Sequence, residues 1–550
     1  MSLDQFVDFQ INVNSSGVPR AGFGLIGIMT YKTVFSQRSR LYSKSADAVS
    51  DGYLEDDVEI RMMKRIMSQA PRPTNVAFIR GTLPPTQSYT LGATAEDNTE
   101  YDLTAVGEGF ADTTATFKTA TAASKGQIHA SLITQLNAVA SKNYLATPAA
   151  LVYADKVFTA TNADEIFHAT AHGLKDCDGP FQVSNAGGGL PSGLAAVTDY
   201  WVIAIDANTF YLASSLANAI ARTHVSITTD GTGTQTLADT VNTKRYDSTF
   251  TIVGSAAGEW FSLEVGDVDL MSIVQDHADP GIATDLDAII LRDNTWYWLE
   301  TAFHSKAMVL AEAEWVEGNG KVYMPAVNDS AACTVAVGDS PTDTMFSLLG
   351  LGYKRTEYQY HSSPASFLDA GMGGLLAPKN PGLWTAKNKT PVGVKPCNLN
   401  PTHTANILAR RGNSITFEGG RSVTWEGQVA NATYGFFDVV VSLDWVSDAV
   451  RKAIFGAEVS LDKVSYTDED FAVFEAAVNG VILEAISATH KIMAPGTPDD
   501  PTDPPPRFTL PRVADIDPSV RALREVPNGQ LVFRLAGAAH KVFITATVSF

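Results

Sequence analysis

Ten residues at one end of the chain, Lys541 to Phe550, alternate without a break. Val542, Ile544, Ala546, Val548 and Phe550 fall on one side; Lys541, Phe543, Thr545, Thr547 and Ser549 fall on the other. Near the opposite end Val7, Phe9, Ile11 and Val13 alternate with Asp8, Gln10 and Asn12. A period of two, rich in β-branched and aromatic residues, is the pattern of a half-buried strand. Chain ends fray unless something ties them down, so both segments need a partner. The pattern leaves two partners open: the strand's own domain or a neighbouring chain. In the second case main-chain hydrogen bonds along a sheet edge are the adhesive, and the chain builds a polymer. Val7, Phe9, Ile11 and Val13 are then an N-terminal interface arm, and Val542, Ile544, Ala546, Val548 and Phe550 a C-terminal one.

The chain has 550 residues, enough for about three or four domains and a large core. Sixty acidic residues against 40 basic ones give a formal charge of −20. That balance disfavours wrapping nucleic acid or lying on an anionic membrane, both of which need a basic face. Cys177, Cys333 and Cys397 are scattered and odd in number, as expected of idle thiols in a reducing compartment. Asp4 and Asp8 stand where a signal peptide would carry basic charge, and no charge-free apolar run reaches membrane-spanning length. The expectation is a soluble protein made in a cytoplasm.

Texture divides the chain. Residues 1–84 read as α/β. Gly22 to Met29 suggest a closely packed strand, and Leu54 to Ser68 a helix with Val58, Met62 and Ile66 on one face. Asp56, Asp57 and Glu59 open that helix, Lys64 and Arg65 close it, and Pro71 and Pro73 stop it. Val76 to Ile79 read as a buried strand. From Leu83 to Asp276 short alternating runs such as Tyr200 to Ile205 and Thr209 to Leu212 are separated by turn formers, with one helix near Lys125 to Ser141. From Leu286 the α/β texture returns: a strand at Ala288 to Leu291, a helix at Ser305 to Glu317 ended by Asn319-Gly320, and a strand at Val322 to Met324, a parallel crossover unit. A helix is expected at Asp468 to His490, with Thr467 and Asp470 approximating a capping box. Pro495 to Pro506 hold six prolines in twelve residues, which reads as an extended, semi-rigid spacer or a surface linker that folds back. Gln530 to Leu535 and Lys541 to Phe550 read as two strands joined around Gly537. The expected fold class is α/β (α+β). A core from both chain ends, 1–84 and 285–494, carries a large inserted β-rich, sandwich-like region at 85–284. A small β-module, 155–240, is nested in the insert. A Pro-rich linker, 495–506, leads to a C-terminal segment, 507–550, with the arm.

A search for chemistry finds none that stands up. His168 and His172 are four apart, but the stretch lacks the glutamate of HExxH and lies in Thr- and Gly-rich β sequence. Neither GxSxG nor GxxxxGK[ST] occurs. Gly22-Phe23-Gly24-Leu25-Ile26-Gly27 matches GxGxxG, yet a strand rather than a helix is expected to follow, so no helix dipole would hold a pyrophosphate. Asp56-Asp57 and Asp468-Glu469-Asp470 sit at helix starts, where they complement the dipole. Met62, Met63 and Met67 read as core rather than as an adaptable contact surface, and Asp499, Asp500 and Asp503 as solvated or in ionic contact with a partner. No catalytic, cofactor or metal residue is assigned, and the expectation is that this is not an enzyme.

Arg65 to Arg80, reading RIMSQAPRPTNVAFIR, resembles a helix-to-strand signature of phage contractile-tail sheath proteins, in the branch formerly catalogued as phage proteins of unknown function. Further blocks agree in order: Trp296 to Leu299, Trp315 to Lys321, Leu348 to Thr356 with Tyr360-His361, Trp425 to Gly427, Phe437 to Val440 with Leu443 to Trp445, Arg521 to Arg524, and Leu535 to His540. The resemblance covers 1–84 and 285–550. The stretch 155–240 departs from it and is similar instead to a small β-module of phage surface proteins.

That resemblance implies stacked hexameric rings around a tail tube, in a virion tail assembled in the host cytoplasm. Partners would be further copies of this chain, the tube protein, and baseplate and terminator proteins, with no cofactor. Terminal strands would link subunits into a mesh that contracts and drives the tube through the host envelope. A different class of function stays beside it: a receptor-binding or adhesin-type tail protein using aromatic residues of the β-rich insert. The insert is expected to face outward, so that excising Leu83 to Asp276 leaves assembly intact.

Overall fold

The structure, a computed structural model, describes residues 22–541. Its central sheet is drawn from two distant stretches of sequence. The strand order is Val322–Tyr323, Trp298–Glu300, Ile26–Thr30, Val76–Arg80, Ser39–Tyr42. All neighbours are parallel except the edge strand Ser39–Tyr42. Ile26 stands beside both Trp298 and Val76, so neither stretch makes this sheet alone. The strands Ile26–Thr30 and Val76–Arg80 are near-continuous apolar runs, as a parallel sheet covered on both faces requires.

Helix Val58–Met67 packs on this sheet, with Val58, Met62, Met63 and Ile66 buried. It lies against the glycine-rich helix Leu368–Leu376. A Cβ on Gly374 would sit 2.6 Å from the Ile66 carbonyl oxygen, so only glycine permits the approach. A crossover unit is present, but its first strand is Trp298–Glu300. The run Ala288 to Leu291, expected as a strand, closes helix Ile282–Ile290. A short apolar run cannot distinguish the two states. Here Ile282, Leu286 and Ile289 bury one helical face, and the Asp279 carboxylate accepts from the Gly281 and Ile282 amides at 2.8 Å. Helix Lys306–Asn319 then ends on Gly320 in the left-handed conformation.

Between Arg80 and Ile282 runs the β-rich insert. A four-stranded sheet (Met271–Gln275, Ser88–Ala93, Phe250–Gly254, Tyr144–Thr147) and a three-stranded one (Phe261–Val265, Glu100–Gly107, Thr113–Lys118) are antiparallel throughout. They share a core with helix Lys125–Asn137, whose Ser124 and Gln127 form a reciprocal capping box. Nested in it, six strands run in the order Gly179–Ala186, Thr234–Arg245, Lys156–Thr161, Ile166–His168, Thr209–Ala213, Trp201–Ala204. The bridge Phe181↔Tyr200 joins the first to the last, closing a small barrel around Phe158, Phe167, Phe181 and Phe210.

The insert is fused to the body. Trp260 and Val106 belong to the body core, and the Trp260 indole donates to the Ala302 carbonyl at 3.0 Å. Glu108, also from the insert, accepts from the Val58 amide at 2.6 Å and from Lys32 at 3.1 Å. It therefore caps the body helix that follows Asp57.

The C-terminal lobe holds two long helices, Phe437–Ser460 and Asp468–Ile486, and a two-stranded sheet, Arg507–Thr509 with Gln530–Val532. Thr467 accepts from the Asp470 amide at 3.2 Å, while the Asp470 carboxylate turns to the Ser465 amide at 2.5 Å instead of completing the box. Gln530–Val532 pairs with Arg507–Thr509; Val542 to Phe550 lie outside the described residues. The proline segment does not extend. It curls back through Thr497 N to Asp503 O at 2.8 Å, with Gly496 and Asp499 at positive φ. Proline fixes φ but is at home in turns when such neighbours supply the reversal.

Candidate assembly interface

Segments far apart in sequence meet at Asp444, where the lobe joins the body. Strand Trp298–Glu300 is preceded by Tyr297, whose ring is buried while its hydroxyl reaches out to donate to Asp444 Oδ2 at 2.7 Å. The chain near Tyr323 brings in Arg355, whose two terminal nitrogens donate to the two Asp444 oxygens at 2.6 and 2.8 Å. Glu317, from the last turn of helix Lys306–Asn319, accepts from the Lys354 and Arg355 amides at 3.1 and 3.0 Å. Asp444 lies in the second turn of helix Phe437–Ser460. A bidentate guanidinium–carboxylate pair is both strong and directional. The Arg355 side chain is 1% exposed. Burial opposes its charge, but Asp444 more than restores it, so the group is held above its ordinary range.

Beyond this joint the lobe has its own core of Val446, Val450, Val478, Ile482, Ile492, Met493 and Phe508. Leu531, Phe533 and Leu535 lean into it at a period of two. The backbone there is tied by Ala494 N to Arg534 O and Ala536 N to Ile492 O, both at 2.8 Å. Arg534 also pairs with Asp503 of the proline loop at 2.7 and 2.9 Å, so Asp503 is engaged rather than merely solvated. Among the described residues the two-stranded sheet has no third strand on either edge. Val532 on it is 45% exposed, and Leu523 and Val526 just before it are exposed too. An edge of this kind accepts an added strand.

The arm residues named from sequence, Val7, Phe9, Ile11 and Val13 with Val542, Ile544, Ala546, Val548 and Phe550, lie outside the described residues. The described residues end at Lys541, nine past Val532 of the open sheet. His168 and His172 are not brought to one point of chemistry. His168 lies in a barrel strand and bonds Thr161 at 3.0 Å. His172, in a loop, accepts from the Leu174 amide at 2.9 Å. Gly22 to Gly27 leads into strand Ile26–Thr30. Asp56 and Asp57 do open their helix, but Asp57 bonds Lys32 and the Leu54 amide, and Asp56 the Gly109 amide. The capping carboxylate is Glu108, which no local pattern identifies. Met62 and Met63 are core. Of Arg355, Asp444 and Glu317 only Asp444 has a sequence signal, a charge set between Leu443 and Trp445.

No protein-family model and no curated protein matches the chain. Among solved structures it is similar to the sheath tail protein of Desulfitobacterium hafniense, at 9% identity over 91% of this chain and 93% of that one, TM-score 0.40. It is similar to a chain of the anti-feeding prophage helical sheath in the contracted state, at 10% identity over 54% and 78%, TM-score 0.36. It is also similar to a chain of the anti-feeding prophage baseplate, at 12% identity over 50% and 74%, TM-score 0.37.

Proposed function

We propose that this chain is the structural subunit of a phage contractile tail sheath, with no enzymatic role. The observation that carries the reading is the meeting at Asp444. The sequence blocks that resemble sheath proteins, Trp296 to Leu299, Trp315 to Lys321, Leu348 to Thr356 and Leu443 to Trp445, supply Tyr297, Glu317, Arg355 and Asp444 of one joint. Blocks independent in sequence that build one piece of architecture are stronger together than singly. The open two-stranded sheet suits the proposal that terminal strands of neighbouring copies add to it, with Val542 to Phe550 and Val7 to Val13 as the incoming arms.

In this reading subunits stack as hexameric rings around a tail tube, and the extended assembly is the less stable of two packings. A difference of about a few kcal/mol per subunit, summed over many copies, supplies the work. The test is electron microscopy of the purified chain. Tubes or rings support the proposal, as does their loss when Val542 to Phe550 are deleted while the chain stays soluble and folded. Wild-type tubes from the truncated chain refute strand exchange. Monomers or trimers that adhere to cells refute the sheath reading in favour of an adhesin.

A further inference from the structure

The chain leaving the lobe changes character at Leu535. Up to that point alternate side chains enter the lobe core. Ala536, Gly537, Ala538 and Ala539 are small and exposed, with Gly537 at positive φ. His540 breaks the exposed run. Its side chain is 14% exposed, while Lys541 beyond it is exposed again. The imidazole rests edge-on against Phe436, ring centroids 4.8 Å apart, at the start of helix Phe437–Ser460. Its Nδ1 lies 3.1 Å from Glu426 Oε2. Glu426 is also held by Lys387 at 2.5 Å. Burial raises the Glu426 carboxyl, but bonds from Lys387 and His540 outweigh it and keep the group below its ordinary range. An ionised carboxylate only accepts, so Nδ1 is the donor.

We propose that His540 is a latch that pins the root of the C-terminal arm in a socket on its own subunit, with Gly537 to Ala539 as the hinge behind it. Past Ala536, whose amide is held by the Ile492 carbonyl, three small residues offer no side-chain packing to order the backbone, and ordering it without an anchor costs conformational entropy. One aromatic and charge-assisted contact at the far end of the hinge restores a fixed exit point beside Phe436. This inference rests on the sheath reading only for its consequence: an arm held at a set point meets a neighbour's sheet at higher effective concentration than a free one.

Spin labels at Lys541→Cys and Glu418→Cys in the full-length, unassembled chain read the latch by pulsed dipolar spectroscopy. Both sites are exposed, and the native cysteines are buried. The parent chain is expected to give one narrow distance distribution. His540→Ala and Glu426→Ala are each expected to widen it at least about twofold, because the hinge then samples freely. His540→Asn, which keeps a donor near the Nδ1 position, restores part of the narrowing. Lys387→Ala, which leaves the acceptor in place, keeps it narrow. A parent distribution already broad, or one unchanged in His540→Ala, overturns the latch. Whether tubes form is scored separately by electron microscopy, so failure of the sheath reading leaves the distance result standing.

Discussion

Replacing Asp444 with alanine tests whether the lobe is held by one buried charge cluster. The substitution removes both acceptors of the Arg355 guanidinium and the acceptor of the Tyr297 hydroxyl. Arg355 is left buried without this counter-charge, a change that costs about 3–5 kcal/mol when one partner of a buried pair is deleted. The Tyr297 hydroxyl adds about 1 kcal/mol at most, because it sits near the surface-facing side of a carboxylate that is itself 11% exposed. The sum is about 4 kcal/mol, or close to three orders of magnitude in an opening equilibrium. The cost falls on the docking of the lobe rather than on the whole molecule. Native-state hydrogen exchange is therefore the assay: amides of helix Phe437–Ser460 should exchange about a thousandfold faster, while those of strand Val76–Arg80 barely change. The double variant Arg355→Met with Asp444→Leu should recover most of the protection, because an apolar pair of similar size replaces the charges. Less than about tenfold acceleration in Asp444→Ala would mean that water already screens the pair, and the joint would then be an ordinary surface contact.

Burial, then the charge of Glu108, raises the Glu59 carboxyl to about 7. A carboxyl raised in the folded state favours folding at acid pH, and that advantage is lost as pH climbs from its unfolded value through 7. Glu59→Gln should therefore stabilise the chain by up to about 3 kcal/mol near pH 8 and hardly at all near pH 4, read from denaturation midpoints. Trp260→Ala should cost about 3–5 kcal/mol by removing a buried indole that bridges insert and body, and excising Leu83 to Asp276 whole should yield insoluble chain, seen by solubility and circular dichroism. Arg534→Ala, by contrast, breaks a pair whose arginine is 60% exposed and should lower the unfolding free energy by less than about 1 kcal/mol, read from denaturant titration.

Patterns confined to a short window were legible. Strand Val76–Arg80, helix Val58–Met67 and helix Lys125–Asn137 fall on the expected stretches, although the first helix starts four residues after Leu54 and the second stops four before Ser141. The strand read at Ala288 to Leu291 failed because its apolar run is too short to reveal a period; the helix is set by Ile282 and Asp279, upstream of the run. The proline segment was legible as stiff but not as straight, since its direction is decided by Gly496 and Asp499 rather than by the prolines. Least legible were the joints. Glu108 caps a helix that starts fifty residues earlier, and Asp444 meets a guanidinium 89 positions away. Such contacts follow from topology, and no periodicity encodes them.

On the proposed sheath reading, those joints bear on how the subunit would move. A body that rotates and slides as a unit must have stiff connections inside it, with compliance confined to the links between copies. Where insert meets body, the contacts are a buried indole bond, a helix cap and a lysine bridging Asp57 and Glu108. Where lobe meets body, a bidentate charge pair and a tyrosine hydroxyl stand beside the apolar packing of Phe437 and Val441 in the body core. These polar contacts are directional, and each leaves a desolvated charge or donor if it shears, so they penalise partial displacement more steeply than the apolar packing beside them. The stretch Gly537 to Ala539 has the opposite character, small and exposed. Strain imposed on an arm would thus bend the chain there before it opened either joint. If force reaches the lobe first, hydrogen exchange in helix Asp468–Ile486 would accelerate on assembly; if the hinge yields first, as this distribution of contacts requires, that helix keeps its protection.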